Sequence, residues 1–172
     1  MNDLKAIQNH NLIETLYEQG FVVLDDYVPK DLFERLSNKA RRLYEMDALQ
    51  RAGIGRDQSY QKRKEIRQDS IHWLDKHAEI DRDYLALMEN LRLELNRAFF
   101  LGLFEYEAHY ARYPQGGFYK KHLDSFKDAR SRVVSTVSYL NEDWTEEDGG
   151  QLVIYDKDNP DQDIATILPK AR

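Results

Sequence analysis

The order of patterns along the chain predicts an α+β fold, with helices packed on an antiparallel sheet or barrel. Three observations carry this expectation. Apolar residues recur at helical spacing through most of the chain up to Phe100. Past Gly102 the pattern changes to alternating and β-branched runs. Turn chemistry separates those runs, at Pro114-Gln115-Gly116-Gly117, Asp148-Gly149-Gly150 and Asn159-Pro160-Asp161.

The elements follow in order. Leu4, Ile7, Leu12, Ile13, Leu16 and Tyr17 mark a first helix that Gly20 stops. Phe21 to Val28 is apolar and β-branched and predicts a strand. Pro29 suits the first position of a second helix, whose stripe is Leu32, Phe33, Leu36, Ala40, Leu43 and Tyr44. The polar stretch from Ala52 to Gln68, with Gly53 and Gly55, predicts a loop, and Ile71 to Leu74 is a short apolar piece. A third helix is expected from about Asp83 to Phe100, with Leu85, Met88, Leu91, Leu95 and Phe99 on one side. Strands are then expected at Phe104 to Tyr113, Val133 to Leu140, Leu152 to Tyr155 and Ile164 to Leu168. Trp73 and Trp144 read as packing residues. His10, His72 and His77 read as surface or helix-packing residues.

With 172 residues, 41% hydrophobic and 33% charged, the composition is that of one soluble globular domain. No run of about 18 apolar residues predicts a membrane span. Met1 to His10 lacks a basic and an apolar region of the secretory kind, so a cytoplasmic location is expected. The absence of cysteine excludes disulfides and thiolate metal sites and leaves His, Asp and Glu as metal ligands. A net charge of -6 argues against a general nucleic-acid binder. Arg56, Lys62, Arg63, Lys64 and Arg67 form a local basic cluster. It fits a solvated loop or a mobile segment that meets a substrate protein, and charge alone does not separate the two.

The stretch Tyr113-Pro-Gln-Gly-Gly-Phe-Tyr-Lys-Lys-His-Leu-Asp124 is the informative one. On an extended strand, positions i and i+2 face one way, so His122 and Asp124 can point at one metal. An imidazole and a carboxylate are two thirds of the facial triad that holds Fe(II) with open positions. His-x-Asp alone also occurs on ordinary surfaces. Here a Gly-rich turn precedes it and candidate strands flank it.

The segment Tyr113-Pro114, Gly116-Gly117, Tyr119, His122-x-Asp124 resembles the prolyl 4-hydroxylase branch of the Fe(II)/2-oxoglutarate oxygenases. The likeness continues through Arg132-Val-Val-Ser-Thr-Val-Ser-Tyr139-Leu-Asn-Glu-Asp-Trp144 and Asp148-Gly149-Gly150-Gln-Leu152. Upstream, Ile66-Arg67-Gln-Asp69-x-Ile71-x-Trp73 is similar to the hypoxia-sensing prolyl hydroxylases and their bacterial relatives, as is Ile167-Leu-Pro169-Lys170. The resemblance spans roughly Arg56 to Arg172. It implies a double-stranded β-helix, or jelly-roll, core with N-terminal packing helices. Residues 1–102 would then be a helical support region with a strand and a mobile loop at 52–70, and residues 103–172 the first part of the β-core.

The resemblance also implies roles. His122 and Asp124 would ligate the iron and so be catalytic. Tyr139 would donate its hydroxyl to 2-oxoglutarate, with Tyr113 and Leu152 lining that pocket. Arg132, Tyr119, Arg67 and Asp69 would stand on the substrate side, the last two as an ion pair bracing the mobile loop. Read from their positions alone, Tyr139 and Leu152 also fit strand core, Arg132 an exposed strand residue, and Arg67 with Asp69 a surface pair worth under about 1 kcal/mol. The implied activity is hydroxylation of a prolyl residue in a protein, with 2-oxoglutarate and O2 as co-substrates, succinate and CO2 as co-products, and ascorbate as reductant. A translation or ribosomal protein is a fitting target by resemblance.

The chain departs from the pattern in two respects. No histidine follows His122, and no base stands where the family binds the 2-oxoglutarate carboxylate; Lys170 and Arg172 fall too early. A jelly-roll has about eight strands, and about four or five candidates are countable here. An incomplete core and a chain truncated after Arg172 are therefore expected, since a half-closed barrel exposes strand edges. His109, which shares strand parity with Tyr113, is a weak candidate to replace the missing ligand. Two further readings remain: an inactive remnant acting as a protein-binding module, and an oxygenase of another substrate. The sequence does not set the oligomeric state.

Overall fold

Three helices and a small antiparallel sheet share one core, and a hairpin follows. The computed structural model describes residues 3–51, 65–124 and 132–171. The predicted loop's glycines and its basic residues Arg56, Lys62, Arg63 and Lys64 lie outside the described residues, as do the structures of 125–131 and Arg172. The elements are α1 (Asp3–Gln19), α2 (Lys30–Glu45), β1 (Gln50–Arg51), β2 (Ser70–Trp73), α3 (Glu79–Phe99), β3 (His109–Arg112), β4 (Leu152–Tyr155) and β5 (Asp163–Ile167). Strands β1, β2 and β3 form one sheet in that order, and β4 pairs with β5, all antiparallel.

The helices follow their apolar stripes. In α2, Leu32, Phe33 and Leu36 are buried, and in α3 Tyr84, Met88, Leu91 and Leu95. They meet Leu12 of α1 and Tyr110 of β3 in one core cluster. Pro29 caps α2 from just outside it, with ψ 142°, one position earlier than expected, and its carbonyl accepts from the Phe33 amide. Helix α3 starts earlier than the apolar pattern indicated, its first turn carrying Glu79 and Asp81 near the positive end of the helix dipole. It ends with Phe100 in the left-handed region at φ +55°. The Asn96 side chain then holds both backbone groups of Leu103 at 2.8 Å and turns the chain back.

The carboxylate of Asp81 is fully buried and ties four segments together. Lys39 of α2 reaches Oδ2 at 2.6 Å, the Tyr110 hydroxyl of β3 donates to Oδ1 at 2.9 Å, and the Asp75 amide donates to Oδ2 at 2.8 Å.

Two expected strands are absent among the described residues. Phe21 to Val28 forms no ladder; a turn with Asp26 at φ +56° interrupts it, while Val22, Leu24, Tyr27 and Val28 pack on the core. Val133 to Leu140 runs without a ladder partner among the described residues. Its even positions meet the helical layer: Val134 and Leu140 pack on the core, Thr136 bonds the Tyr106 hydroxyl at 3.0 Å and Ser138 the Tyr84 hydroxyl at 2.8 Å. The expected strand at Phe104 to Tyr113 shortens to β3.

Trp73 does not pack as expected. It pairs with His109 across the β2–β3 ladder, is 54% exposed, and meets the His109 ring edge-on at 5.0 Å. Trp144 does pack: its indole donates to the Gly149 carbonyl at 2.9 Å. His72 lies on β2 with Nδ1 3.1 Å from the Ala48 carbonyl oxygen, and His77 is exposed. No helix among the described residues is long and apolar enough to cross a membrane.

Candidate functional site

The β2–β3 ladder contains a loop-out that delivers the His-x-Asp segment. Ser70 pairs with Arg112, and Arg67 bridges Tyr119. The chain thus advances from Arg112 to Tyr119 while its partner covers only Arg67 to Ser70. The surplus is taken up by the turn at Pro114 to Gly117, closed by the Gly117 amide donating to the Pro114 carbonyl at 2.8 Å. Gly117 is required there: a Cβ would stand 2.6 Å from the Pro114 ring and 2.8 Å from its carbonyl oxygen. Beyond the turn, pairing resumes, with the Gln68 amide donating to Phe118 at 3.0 Å and the Lys120 amide to Ile66 at 2.9 Å.

His122 and Asp124 emerge from this rejoined ladder. Nδ1 of His122 lies 2.7 Å from the Lys120 carbonyl oxygen. A carbonyl only accepts, so Nδ1 carries a proton, which leaves Nε2 for Asp124 or for a metal. Nε2 faces Oδ1 of Asp124 at 3.2 Å. The Ser135 hydroxyl donates to Oδ2, and an Arg132 guanidinium nitrogen lies 3.4 Å from Oδ1. The hydrogen bond to Asp124 raises the His122 pKa above its ordinary value. That bond, with Ser135 and Arg132, holds the Asp124 carboxyl far below the usual carboxylate range.

Arg67 and Asp69 are no surface pair. Asp69 is buried, and Arg67 grips it with two bonds, Nε to Oδ1 at 2.7 Å and a terminal nitrogen to Oδ2 at 2.5 Å. The Arg67 guanidinium sits over the Tyr119 ring at 4.5 Å, and Tyr119 stacks on His122 with centroids 3.6 Å apart. Tyr113 stands beside this group. Desolvation, and then the Asp69 carboxylate, push its hydroxyl pKa up to about 12, and the Tyr139 hydroxyl adds to the effect. Tyr139 is half-buried, and burial raises its pKa. It shares parity with Ser135 along the extended segment, so both face away from the helices. Leu152 opens β4 opposite Ile167 and is partly exposed. Its hairpin reaches the site through Lys121, which donates to the Pro160 carbonyl at 2.8 Å and lies 4.3 Å over the Tyr155 ring.

Tyr113, Tyr119, Arg67, Asp69, His122, Asp124 and Arg132 are thus gathered by these contacts, and Tyr139 borders the same space. The sequence reading missed Ser135, whose strand parity with Tyr139 was the available signal, and the Lys120 carbonyl, which no side-chain pattern marks.

The chain is similar to known proteins. Residues 108–172 match the model of the 2OG-Fe(II) oxygenase superfamily. A solved prolyl-4-hydroxylase from Pseudomonas putida superposes with a TM-score of 0.83 at 38% identity, covering 95% of this chain and 83% of its own. The chain belongs to the prolyl 4-hydroxylase family of 2OG-Fe(II) oxygenases. It is also 28% identical over 164 residues to a hypoxia-inducible factor prolyl hydroxylase from Caenorhabditis elegans, covering 88% of this chain and 22% of that relative's length.

The prolyl hydroxylase family implies Fe(II), 2-oxoglutarate and O2, and the donors present fit such a metal. Two cis ligands at about 2.1 Å from one ion lie about 3 Å apart, close to the separation of Nε2 and Oδ1. Two lone pairs aimed at each other at that distance need a positive charge between them. Without metal, the proton favoured on His122 supplies it. Lys120 and Ser135 hold the far side of each donor group, as outer-shell partners of metal ligands do. No group of three His, Asp or Glu side chains able to hold a metal occurs among the described residues. His109 is engaged with Trp73.

Proposed function

We propose that this chain carries part of the active site of an Fe(II)- and 2-oxoglutarate-dependent dioxygenase that hydroxylates a prolyl residue in a protein. The observation that carries the reading is the convergence of His122 Nε2 and Asp124 Oδ1, each donor group held from behind by a hydrogen bond. Both relatives named above are prolyl hydroxylases, which supports the substrate class. Bound Fe(II) would couple decarboxylation of 2-oxoglutarate, giving succinate and CO2, to oxygen insertion into a substrate C–H bond, with ascorbate keeping the metal reduced.

The chain's residues supply geometry around that chemistry. His122 and Asp124 hold one side of the metal and leave the rest of its sphere open. The Tyr139 hydroxyl, a phenol that burial shifts further above its ordinary value, donates to the 2-oxoglutarate carboxylate, with Tyr113 and Leu152 beside it. Tyr119, Arg67, Asp69 and Arg132 form the substrate side. Residues 1–102 act as support for a jelly-roll β-core to which 103–172 contribute. A translation or ribosomal protein in the cytoplasm is the target the resemblance favours.

The test is an anaerobic titration with Fe(II) and 2-oxoglutarate, followed by peptide hydroxylation. A visible charge-transfer band that His122→Ala abolishes is the expected result. Absence of the band in wild type, with peptide still bound, would favour a protein-binding module instead. Hydroxylation of a peptide panel only at residues other than proline would sink the substrate assignment.

A further inference from the structure

The stack beside His122 has a geometry that bears on the metal. A phenol ring has two faces, and an imidazole seated 3.6 Å from the Tyr119 centroid at an interplanar angle of 16° fills one. The guanidinium of Arg67, 4.5 Å from the same centroid, takes the other. Arg67 is itself held, because two of its bonds go to a carboxylate with no exposed surface. The order Arg67, Tyr119, His122 is therefore a stack of three planar groups, with the Asp69 carboxylate gripping the Arg67 end from its edge. Its base is a buried ion pair and its top is the imidazole. The backbone holds the same stack in register, since Arg67 and Tyr119 are bridge partners flanked by bonds at Gln68 and Lys120.

We propose that Tyr119 and Arg67 are positioning residues that set the plane of the His122 imidazole, and through it the metal affinity of the site. This rests on the reading of His122 as a ligand. The hydrogen bond from Nδ1 to Lys120 fixes one in-plane direction of the ring but leaves it free to pivot about that bond. Stacking on Tyr119 removes the pivot, because tilting the imidazole would break face-to-face contact. The two restraints are independent, and together they aim the Nε2 lone pair at the space shared with Asp124 Oδ1. Cation–π attraction on the far face stops Tyr119 from sliding away with its partner. The phenol hydroxyl has no part in this; the ring face does.

The experiment is Co(II) binding to the full chain, read from the visible ligand-field spectrum. Co(II) stands in for Fe(II) without its oxidation. The proteins are wild type, Y119F, Y119L, R67K, the R67K/Y119L pair and H122A, each checked by a metal-free melting curve. Tyr119→Phe keeps the face and is expected within about twofold of wild type. Tyr119→Leu is expected to bind about tenfold more weakly, the scale of a lost outer-shell restraint, with an altered spectrum. Arg67→Lys keeps a charge beside Asp69 but loses the planar fork. It is expected to weaken binding several-fold alone and to add nothing in the Tyr119→Leu background, because it acts through that ring. Wild-type affinity and spectrum in Y119L, while H122A is weakened, would overturn the proposal and leave the ligand reading standing. So would a loss in Y119F equal to that in Y119L, or additive losses in the pair. An unchanged affinity in H122A would remove the ligand reading and this proposal with it.

Discussion

A histidine and a carboxylate two residues apart chelate a metal only when the imidazole tautomer and the free carboxylate oxygen are both fixed. In this chain a backbone carbonyl fixes the first and Ser135 the second. The spacing of His122 and Asp124 was legible, but the expected strand was not found: both lie past the bridge at Tyr119, outside any strand. The Lys120 carbonyl was not legible, because every residue has one. Ser135 lies across residues 125–131, and only the folded chain returns it to Asp124. His109 is a histidine of suitable parity whose ring meets Trp73 edge-on. Burial, and then the positive charge of Arg67, lower its pKa below the ordinary value near 6.5. A histidine with a depressed folded pKa contributes stability that is fully present above the unfolded pKa. That contribution is lost as pH falls through the window from about 6.5 down to the folded pKa. His109→Gln should therefore narrow the stability gap between neutral and mildly acid pH in urea denaturation of the metal-free protein. A wild-type and variant pair that lose stability in parallel over that window would contradict it.

At the scale of elements, helices were legible and strands only partly so. The stripes of α2 and α3 needed nothing outside the segment, because burying one face of a helix is written at its own period. Phe21 to Val28 and Val133 to Leu140 carry strand composition, yet a strand exists only with a partner, and a run of β-formers does not state where its partner lies. The helices are locked to β3 by a group the apolar pattern did not reveal, the buried Asp81 carboxylate with its bonds from Lys39, Tyr110 and Asp75. The same bond pushes the Tyr110 hydroxyl pKa up, after burial as the larger cause. Removing one partner of a buried ion pair strands the other charge and costs about 3–5 kcal/mol. Lys39→Ala should lower stability on that scale in urea denaturation. Lys39→Met combined with Asp81→Asn should recover part of it, since the neutral amide oxygen still accepts a hydrogen bond and no unpaired charge is left buried. Equal destabilisation by single and double variants would show that packing of the Asp81 site, not its charge, is what the fold depends on.

At the scale of the molecule, the candidate site is where otherwise separate parts of the chain meet. Residues 66–68 and 118–120 are joined by a backbone bridge, Arg132 and Ser135 close on Asp124, and Lys121 reaches the β4–β5 hairpin. These ties are hydrogen bonds and ion pairs on a partly exposed surface, with Val133, Val137 and Leu123 each more than half exposed beside them. Such a region has little apolar burial of its own, so it belongs to the low-stability end of the fold. A metal held by His122 and Asp124 would bind the native arrangement and not the unfolded chain, and would stabilise the whole molecule by mass action. At about a hundred times its Kd that amounts to about 2.7 kcal/mol, or roughly 5–10 °C in Tm for a chain of this size. Anaerobic Fe(II) should therefore raise the melting temperature of the wild-type protein, and the rise should vanish in His122→Ala and in Asp124→Ala. A rise that survives both substitutions would place the metal elsewhere. A rise lost only in Asp124→Ala would leave the carboxylate as a ligand and remove the imidazole, and the stack behind it, from the metal's coordination.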